Sequence, residues 1–379
     1  MRIGIDASRA FMKERTGIEE YSYQVVKSLR GKLKNHQVVL YLRKGQAVDF
    51  DLPAGWRVKV IRWPYLWTQF GLSLEMLLRP VDALFIPSHT VPMIHPKKTV
   101  VTVHGLEYEV MPQAYSFPAR MYMRLSIKFS CRWAATIIAV SENTKKDLIN
   151  IYKIPGEKIR VVHEGVSKRN FQFPISNLQS ISNDKIFNDE KNTKYKILDT
   201  KYLLFIGRLE ARKNITGIIR AFEILKERHS VPHKLVLAGK WGYGEKMICE
   251  ELTNGKYRQD ILCLGYISEE EKGELLRSAD IFLFPTFYEG FGLPVLEAQA
   301  LGVPVVTSNV SSLPEVGADS VAYCDPTEPV SIADAAYSLI SDPERKEDMI
   351  KKGLENVKRF SWDKCATEIV AVLVGVVVT

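Results

Sequence analysis

The chain has 379 residues, a length that suits two domains of ordinary size. It is 46% apolar and 25% charged, which excludes a disordered, collagenous or disulfide-scaffold protein. The formal charge of +8 is unevenly spread: residues 1–166 carry 25 Lys+Arg against 14 Asp+Glu, and the remainder 27 against 30. Nucleic acid, an anionic membrane and a charged substrate are therefore the candidate partners of the first half.

In chain order, Arg2–Asp6 reads as a buried strand and Glu19–Arg30 as a helix. Strands follow at Val38–Leu42, Ala83–Ile86 and Thr99–Val103, then a helix at Pro118–Trp133 and a strand at Thr136–Val140. These strands are short, β-branched and continuous rather than alternating, as parallel strands covered on both faces are. Ser141 is the expected N-cap of a helix over Glu142–Ile149. Residues 168–200 are polar with few helix or strand signals and read as a linker or surface insertion. A second series follows, with strands at Tyr202–Ile206, Lys234–Ala238, Asp260–Leu264, Ile281–Phe284 and Val303–Thr307. Helices fit between and after them at Asn214–Arg228, Glu269–Ser278, Leu293–Ala300 and Ser331–Ser338. A last helix starts near Ser361-Trp362 with no strand after it, so either domain could receive it. Two βα series predict an α/β protein of two doubly wound domains, with ligands in the cleft near the strands' carboxyl ends.

The N-terminus, Met1-Arg2-Ile3-Gly4-Ile5-Asp6, has no apolar stretch of signal-peptide length, so secretion is not expected. The longest apolar run, Ile369–Val378, has roughly half of the ~20 residues a membrane span needs and reads as a buried terminal segment. Cys131, Cys249, Cys263, Cys324 and Cys365 show no CxxC spacing, which fits reduced cytoplasmic thiols and argues against a zinc site.

The most informative segment is Phe284-Pro-Thr-Phe-Tyr-Glu-Gly-Phe-Gly-Leu-Pro-Val-Leu-Glu297. It runs from a strand through a two-glycine loop into a helix near Pro294, a good first-turn residue. Unpaired N–H groups at such a helix start attract anions, and Gly290 and Gly292 let a ligand approach the backbone. Glu289 stands before the turn and Glu297 in the helix's first turn. Two carboxylates there suit the vicinal hydroxyls of a sugar or ribose. A solvated turn and a glutamate favoured by the helix dipole are the plainer alternative.

The second segment, Phe205-Ile-Gly-Arg-Leu-Glu-Ala-Arg-Lys-Asn214, is also strand, loop and helix. Arg208 follows Gly207 at the strand's end and Lys213 lies at the helix entry. Two fixed cations there can neutralise a diphosphate without a metal, although surface cations are the plainer alternative. No GxxxxGK[ST] occurs, and Gly242-Tyr243-Gly244 lacks the rest of a dinucleotide fingerprint.

In the first half, His104 closes a strand and points into the cleft, unless it is a buried histidine bonded to backbone. Gly17 precedes the first helix, where it either admits a ligand or is a plain loop glycine. Arg120, Arg124, Lys128 and Arg132 recur every four residues among aromatics. On a helix they form one cationic stripe, suited to an anionic membrane surface or to solvent.

Together these segments resemble the retaining family-4 glycosyltransferases, also called glycosyltransferase group 1. The likeness spans nearly the whole chain. It is carried by Gly207–Asn214, by the E-x7-E spacing of Glu289–Glu297, and by Val140–Leu148, Gly302–Val306, Leu313–Glu315 and Phe360–Trp362 in the same order. The resemblance implies the GT-B architecture, two facing Rossmann-like domains with an interdomain cleft. Residues 1–167 would take the acceptor, 168–200 form a linker or insertion, and 201–360 bind the nucleotide-sugar donor. The helix over 361–379 would cross back to the first domain.

The resemblance further implies that Arg208 and Lys213 hold the donor diphosphate and that Glu297 binds ribose hydroxyls. Glu289 and His104 would contact the donor sugar. Gly17, Gly207 and the Gly290, Phe291, Gly292 and Leu293 backbone would surround phosphate and sugar. Two departures stand out. Many members have His-Asp at His104-Gly105, so that acid is absent here or moved to Glu107 or Glu109. Many have Asn-Gly-Val at Glu164-Gly165-Val166.

The expected activity is retaining transfer of a sugar from a nucleotide diphosphate sugar to a glycan or lipid-linked acceptor in bacterial surface polysaccharide assembly. Likeness to bacterial mannosyltransferases points to GDP-mannose. No protein nucleophile stands out, so the acceptor would attack the face the diphosphate leaves, with a phosphate oxygen as base. No Asp-x-Asp triplet lies near either segment, so neither metal nor cofactor is expected. No nucleic-acid module accompanies the positive charge. The expected location is cytoplasmic, peripheral on the inner membrane face. The alternatives are another GT-B nucleotide-sugar enzyme, such as an epimerase or phosphorylase, and a non-catalytic nucleotide-sugar binder.

Overall fold

A computed structural model describes residues 1–166 and 200–378. The segment read as a linker or insertion lies almost wholly outside the described residues. The chain divides into two compact units: Met1–Gly165 with Phe360–Thr379, and Val166–Arg359.

Unit 1 is built on a seven-stranded parallel sheet in the order β3-β2-β1-β4-β5-β6-β7. The strands are β1 (Arg2–Asp6), β2 (Gln37–Arg43), β3 (Trp56–Ile61), β4 (Ala83–Ile86), β5 (Thr99–Val103), β6 (Thr136–Ala139) and β7 (Ile159–Val161). Its longer helices before the crossover are α1 (Gly17–Lys32), α4 (Phe117–Trp133) and α5 (Glu142–Tyr152); α2 (Ser73–Leu78) and α3 (Glu107–Val110) are short. The β4 and β5 residues are all buried, which explains their unbroken apolar runs: helices cover both faces. Ser141 caps α5 as expected, its Oγ accepting from the Thr144 N–H at 3.0 Å.

Unit 2 carries a six-stranded parallel sheet in the order β10-β9-β8-β11-β12-β13. Its strands are β8 (Tyr202–Ile206), β9 (Lys234–Ala238), β10 (Ile261–Gly265), β11 (Ile281–Phe284), β12 (Val305–Ser308) and β13 (Ala322–Cys324). The helices are α6 (Ile215–His229), α7 (Glu245–Asn254), α8 (Glu269–Ser278), α9 (Leu293–Ala300), α10 (Leu313–Gly317), α11 (Pro329–Ile340) and α12 (Pro343–Asn356).

The strands missing from the sequence reading, β3, β7 and β13, all stand at sheet edges. In β3, Arg57 is exposed and Lys59 partly so, which breaks the apolar run; charge on an edge strand also discourages pairing with another chain.

The last helix, α13 (Trp362–Val378), belongs to unit 1. Its Asp363 pairs with Lys32 of α1 at 2.8 Å, and Trp362 meets the Tyr21 ring at 6.0 Å. A Cβ on Gly165 would lie 2.2 Å from the Trp362 nitrogen, so the two crossing segments need a glycine where they touch. At the start of the apolar run, Ile369 and Leu373 face the core, while Val374 is exposed. Among the described residues no helix is long and apolar enough to cross a membrane.

Candidate functional site

Both sheets reverse strand order once, between β1 and β4 in unit 1 and between β8 and β11 in unit 2. At such a reversal the flanking loops separate, leaving a crevice at the strands' carboxyl ends where ligands bind. In unit 2 the two loops that open there are Gly207–Asn214, after β8, and Pro285–Gly292, after β11. These are the two segments singled out by sequence.

The β8 loop starts at Gly207, with φ of +154°. A Cβ on the neighbouring Gly239 would sit 1.8 Å from the Gly207 carbonyl oxygen, so the loops after β8 and β9 close only because Gly239 has no side chain. Arg208 leaves this turn exposed and forms no ion pair among the described residues. It is therefore not the fixed cation expected.

Lys213 lies in a single turn of 3-10 helix, Ala211–Lys213, and is 8% exposed. Its Nζ contacts Glu289 Oε1 and stands 5.1 Å from the centre of the Phe284 ring. Burial lowers its pKa, the neighbouring Arg212 lowers it further, and Glu289 opposes both; the net shift is downward.

Arg212, which the sequence reading passed over, completes the cluster. Its guanidinium donates to Glu210 Oε1 at 2.8 Å, the Tyr288 carbonyl at 2.9 Å and Glu289 Oε1 at 3.3 Å. Both contacts to Glu289 fall on the same oxygen. Asn214 then anchors the start of α6. It takes the left-handed conformation, φ +58°, and its Nδ2 donates to the carbonyls of Pro285 at 3.0 Å and Pro326 at 2.7 Å.

The β11 loop is held from the other side. Ser311 Oγ accepts from the Glu289 N–H at 3.0 Å, and Ser312 Oγ donates to the Phe291 carbonyl at 2.7 Å. Gly292, φ +114°, caps α9, which begins at Leu293 with Pro294 in second place. Pro294 has no N–H, and Val295 N–H turns back to the Gly292 carbonyl. Among the described residues the amides of Gly292 and Leu293 are the donors left at this helix start.

Glu297 stands in the second turn of α9, not the first, so the helix dipole does not account for it. It bonds Lys272 of α8 at 2.8 Å, and Lys272 also reaches Glu269 at 2.7 Å. Burial works against the Lys272 charge, but the two carboxylates prevail and raise its pKa. This partner, 25 residues upstream, carries no motif that sequence reading could find.

In unit 1, Gly17 is the first residue of α1 rather than a residue before it, and a Cβ there would meet no atom within 4 Å. Packing gives no reason for a glycine at this position. His104 follows β5, and neither ring nitrogen is open. Nε2 lies 2.8 Å from the Pro87 carbonyl and Nδ1 3.2 Å from Glu164 Oε1. A carbonyl oxygen only accepts, so Nε2 carries hydrogen. Burial, then His104 and Arg9, push the adjacent His89 down to about 3, so His89 stays neutral.

The two departures from the family pattern thus meet in space: Glu164 supplies a carboxylate to His104, which Gly105 does not. Glu109 is engaged elsewhere. It pairs with Arg124 at 2.8 Å and Arg120 at 3.6 Å and accepts from Tyr152 at 2.9 Å. The expected cationic stripe on α4 is accordingly half neutralised; Lys128 and Arg132 are exposed and pair with no carboxylate among the described residues. Beside them runs an exposed apolar row, Phe117, Met121, Leu125, Phe129 and Trp133.

Two Rossmann-like parallel sheets, each reversing strand order once, make a GT-B-type fold. Comparisons with known proteins agree. Residues 15–169 match the model "Glycosyltransferase Family 4", and residues 187–356 match "Glycosyl transferases group 1". The chain is 31% identical to O-antigen chain mannosyltransferase B of Escherichia coli, over 72% of this chain and 69% of that one. Sucrose-phosphate synthase of Thermosynechococcus elongatus superposes with a TM-score of 0.75 at 17% identity, over 98% of this chain and 97% of that one. Anabaena HepE, solved with UDP and glucose, superposes with a TM-score of 0.72 at 16% identity, over 99% and 100%. The chain belongs to glycosyltransferase family 4, group 1, and is a retaining hexosyltransferase of GT-B fold.

Proposed function

We propose that the protein transfers mannose from a nucleotide diphosphate mannose to a glycan or lipid-linked acceptor in surface polysaccharide assembly. The observation that carries this reading is the cluster at the β8–β11 reversal. Arg208 is exposed for a diphosphate, and Lys213, in the same loop, is buried. Glu289 is held between Lys213 and Arg212. Its Oε2 bonds no described residue, so it is open to a sugar hydroxyl. As the diphosphate leaves, its growing negative charge meets Arg208, Lys213 and the Gly292 and Leu293 amides. Glu297, oriented by Lys272, accepts from ribose. The acceptor oxygen attacks the face the diphosphate vacates, and a departing phosphate oxygen takes its proton.

The choice of mannose is supported by the likeness to an O-antigen mannosyltransferase, and the choice of a nucleotide diphosphate by the UDP bound in HepE. Incubation with GDP-mannose, UDP-glucose and dTDP-glucose, followed by nucleotide release, tests both. GDP-mannose turnover is the expected result. Turnover of another donor alone would overturn the sugar assignment, and binding of all three without turnover would overturn the donor role.

The same reading places α4 on an anionic, cytoplasmic membrane surface, with Lys128 and Arg132 at the headgroups and Phe117 to Trp133 as the apolar row. Phosphatidylglycerol vesicles should retain the protein at low salt and release Lys128→Glu/Arg132→Glu. Equal retention of both would remove the membrane role.

A further inference from the structure

Glu289 holds more positive charge than its own burial needs. Lys213 alone would neutralise it, yet Arg212 reaches the same oxygen, Oε1, at 3.3 Å. Two like charges adjacent in sequence repel, so placing both on one half-buried carboxylate works against folding. What the arginine adds is geometry. Its planar guanidinium engages acceptors on both site loops. Nε and Nη2 donate to Glu210 Oε1 at 3.1 and 2.8 Å, within the β8 loop. Nη1 crosses to the β11 loop, donating to the Tyr288 carbonyl at 2.9 Å and to Glu289. The Arg212 carbonyl accepts from the Phe287 N–H at 3.1 Å, so main chain and side chain both bridge the loops. An ammonium is a point charge and does not span such a set.

The backbone of Glu289 is fixed separately. Ser311 Oγ accepts from its N–H and Ser312 Oγ donates to its carbonyl, each at 3.0 Å. What the backbone leaves unset is the carboxylate torsion, which is intrinsically broad. One ammonium on one oxygen leaves that rotation open, and a second donor from another direction closes it. We propose that Arg212 is a positioning residue for the transfer reaction: it fixes the plane of the Glu289 carboxylate through Oε1, so that Oε2 meets the donor sugar at a set angle. This role rests on the donor reading of the same site. The charge of Arg212 has a second consequence. Lys213 is faced by Arg212, by Glu289 and Glu210, and by the Phe284 ring. Among these Arg212 alone is cationic, so removing its charge raises the Lys213 pKa.

The test compares the full chain with Arg212→Lys, Arg212→Gln, Glu289→Gln and the double variant Arg212→Gln/Glu289→Gln. Each is assayed with whichever of GDP-mannose, UDP-glucose and dTDP-glucose the wild type turns over. Arg212→Lys and Arg212→Gln should each lower kcat by about 10²-fold, the usual effect of a misplaced group, with KM changed by less than about threefold. Because Arg212 acts through Glu289, the double variant should lose no more than Glu289→Gln alone. Trace acetylation of Lys213 against pH, read by mass spectrometry without donor, reports its titration. That curve should move to higher pH in Arg212→Gln and stay in place in Arg212→Lys, which keeps the charge. A kcat near wild type in Arg212→Lys, losses that multiply in the double variant, or an unmoved Lys213 curve in Arg212→Gln overturns the proposal. If Arg212→Gln does not fold, Arg212→Lys decides. An active wild type with unaffected variants counts against Arg212 alone. A wild type that turns over no donor counts against the donor reading, and the acetylation curve still decides the coupling of Arg212 to Lys213.

Discussion

Replacing Lys213 with alanine is expected to lower kcat for glycosyl transfer by about 10²- to 10³-fold, the usual loss when one preorganised charge at a leaving group is removed. The effect is large because Lys213 is buried, where its field on the diphosphate is weakly screened. Folding should survive, since Glu289 keeps Arg212 as a partner. The same burial sets a pH dependence. The Lys213 pKa lies below that of an ordinary lysine, so its charge is lost earlier as pH rises. Transfer should therefore decline on the alkaline side before an exposed lysine would titrate. A kcat near wild type in Lys213→Ala would remove this residue from the leaving-group role.

The second large effect is on stability. Glu289→Ala removes the carboxylate shared by Lys213 and Arg212, leaving a buried ammonium facing a guanidinium. Removing one member of a buried pair costs about 3–5 kcal/mol. Arg212 retains Glu210, so the lower figure applies, about 3 kcal/mol. For a unit of this size that lowers the thermal midpoint by roughly 6–12 °C. Calorimetric unfolding of Glu289→Ala beside Lys213→Ala separates the two roles: a large drop in the first and a smaller one in the second. Equal midpoints for Glu289→Ala and wild type would show that the carboxylate has no structural part.

Much of this architecture is legible in one dimension because a parallel strand covered on both faces must be apolar throughout. Ala83–Ile86 and Ile281–Phe284 carry that property from end to end. Edge strands such as Trp56–Ile61 escape it, since one side meets solvent and tolerates Arg57 and Lys59. The two site loops were legible for another reason. Each places glycines and charges directly after a buried strand.

What the sequence determined by itself is local: which segments are strands and helices, and which loops after them hold Arg208, Lys213, Glu289 and the Gly290–Gly292 turn. Whether a charge is exposed or buried, and whose charge it meets, depends on residues distant in the chain. Only the tertiary structure makes Arg208 exposed, buries Lys213 and places Arg212 on Glu289, 77 residues away. Only it couples Glu297 to Lys272 and seats Glu164 against His104, 60 residues apart. Electrostatic energy depends on distance and on exclusion of water, and both are properties of the packed chain.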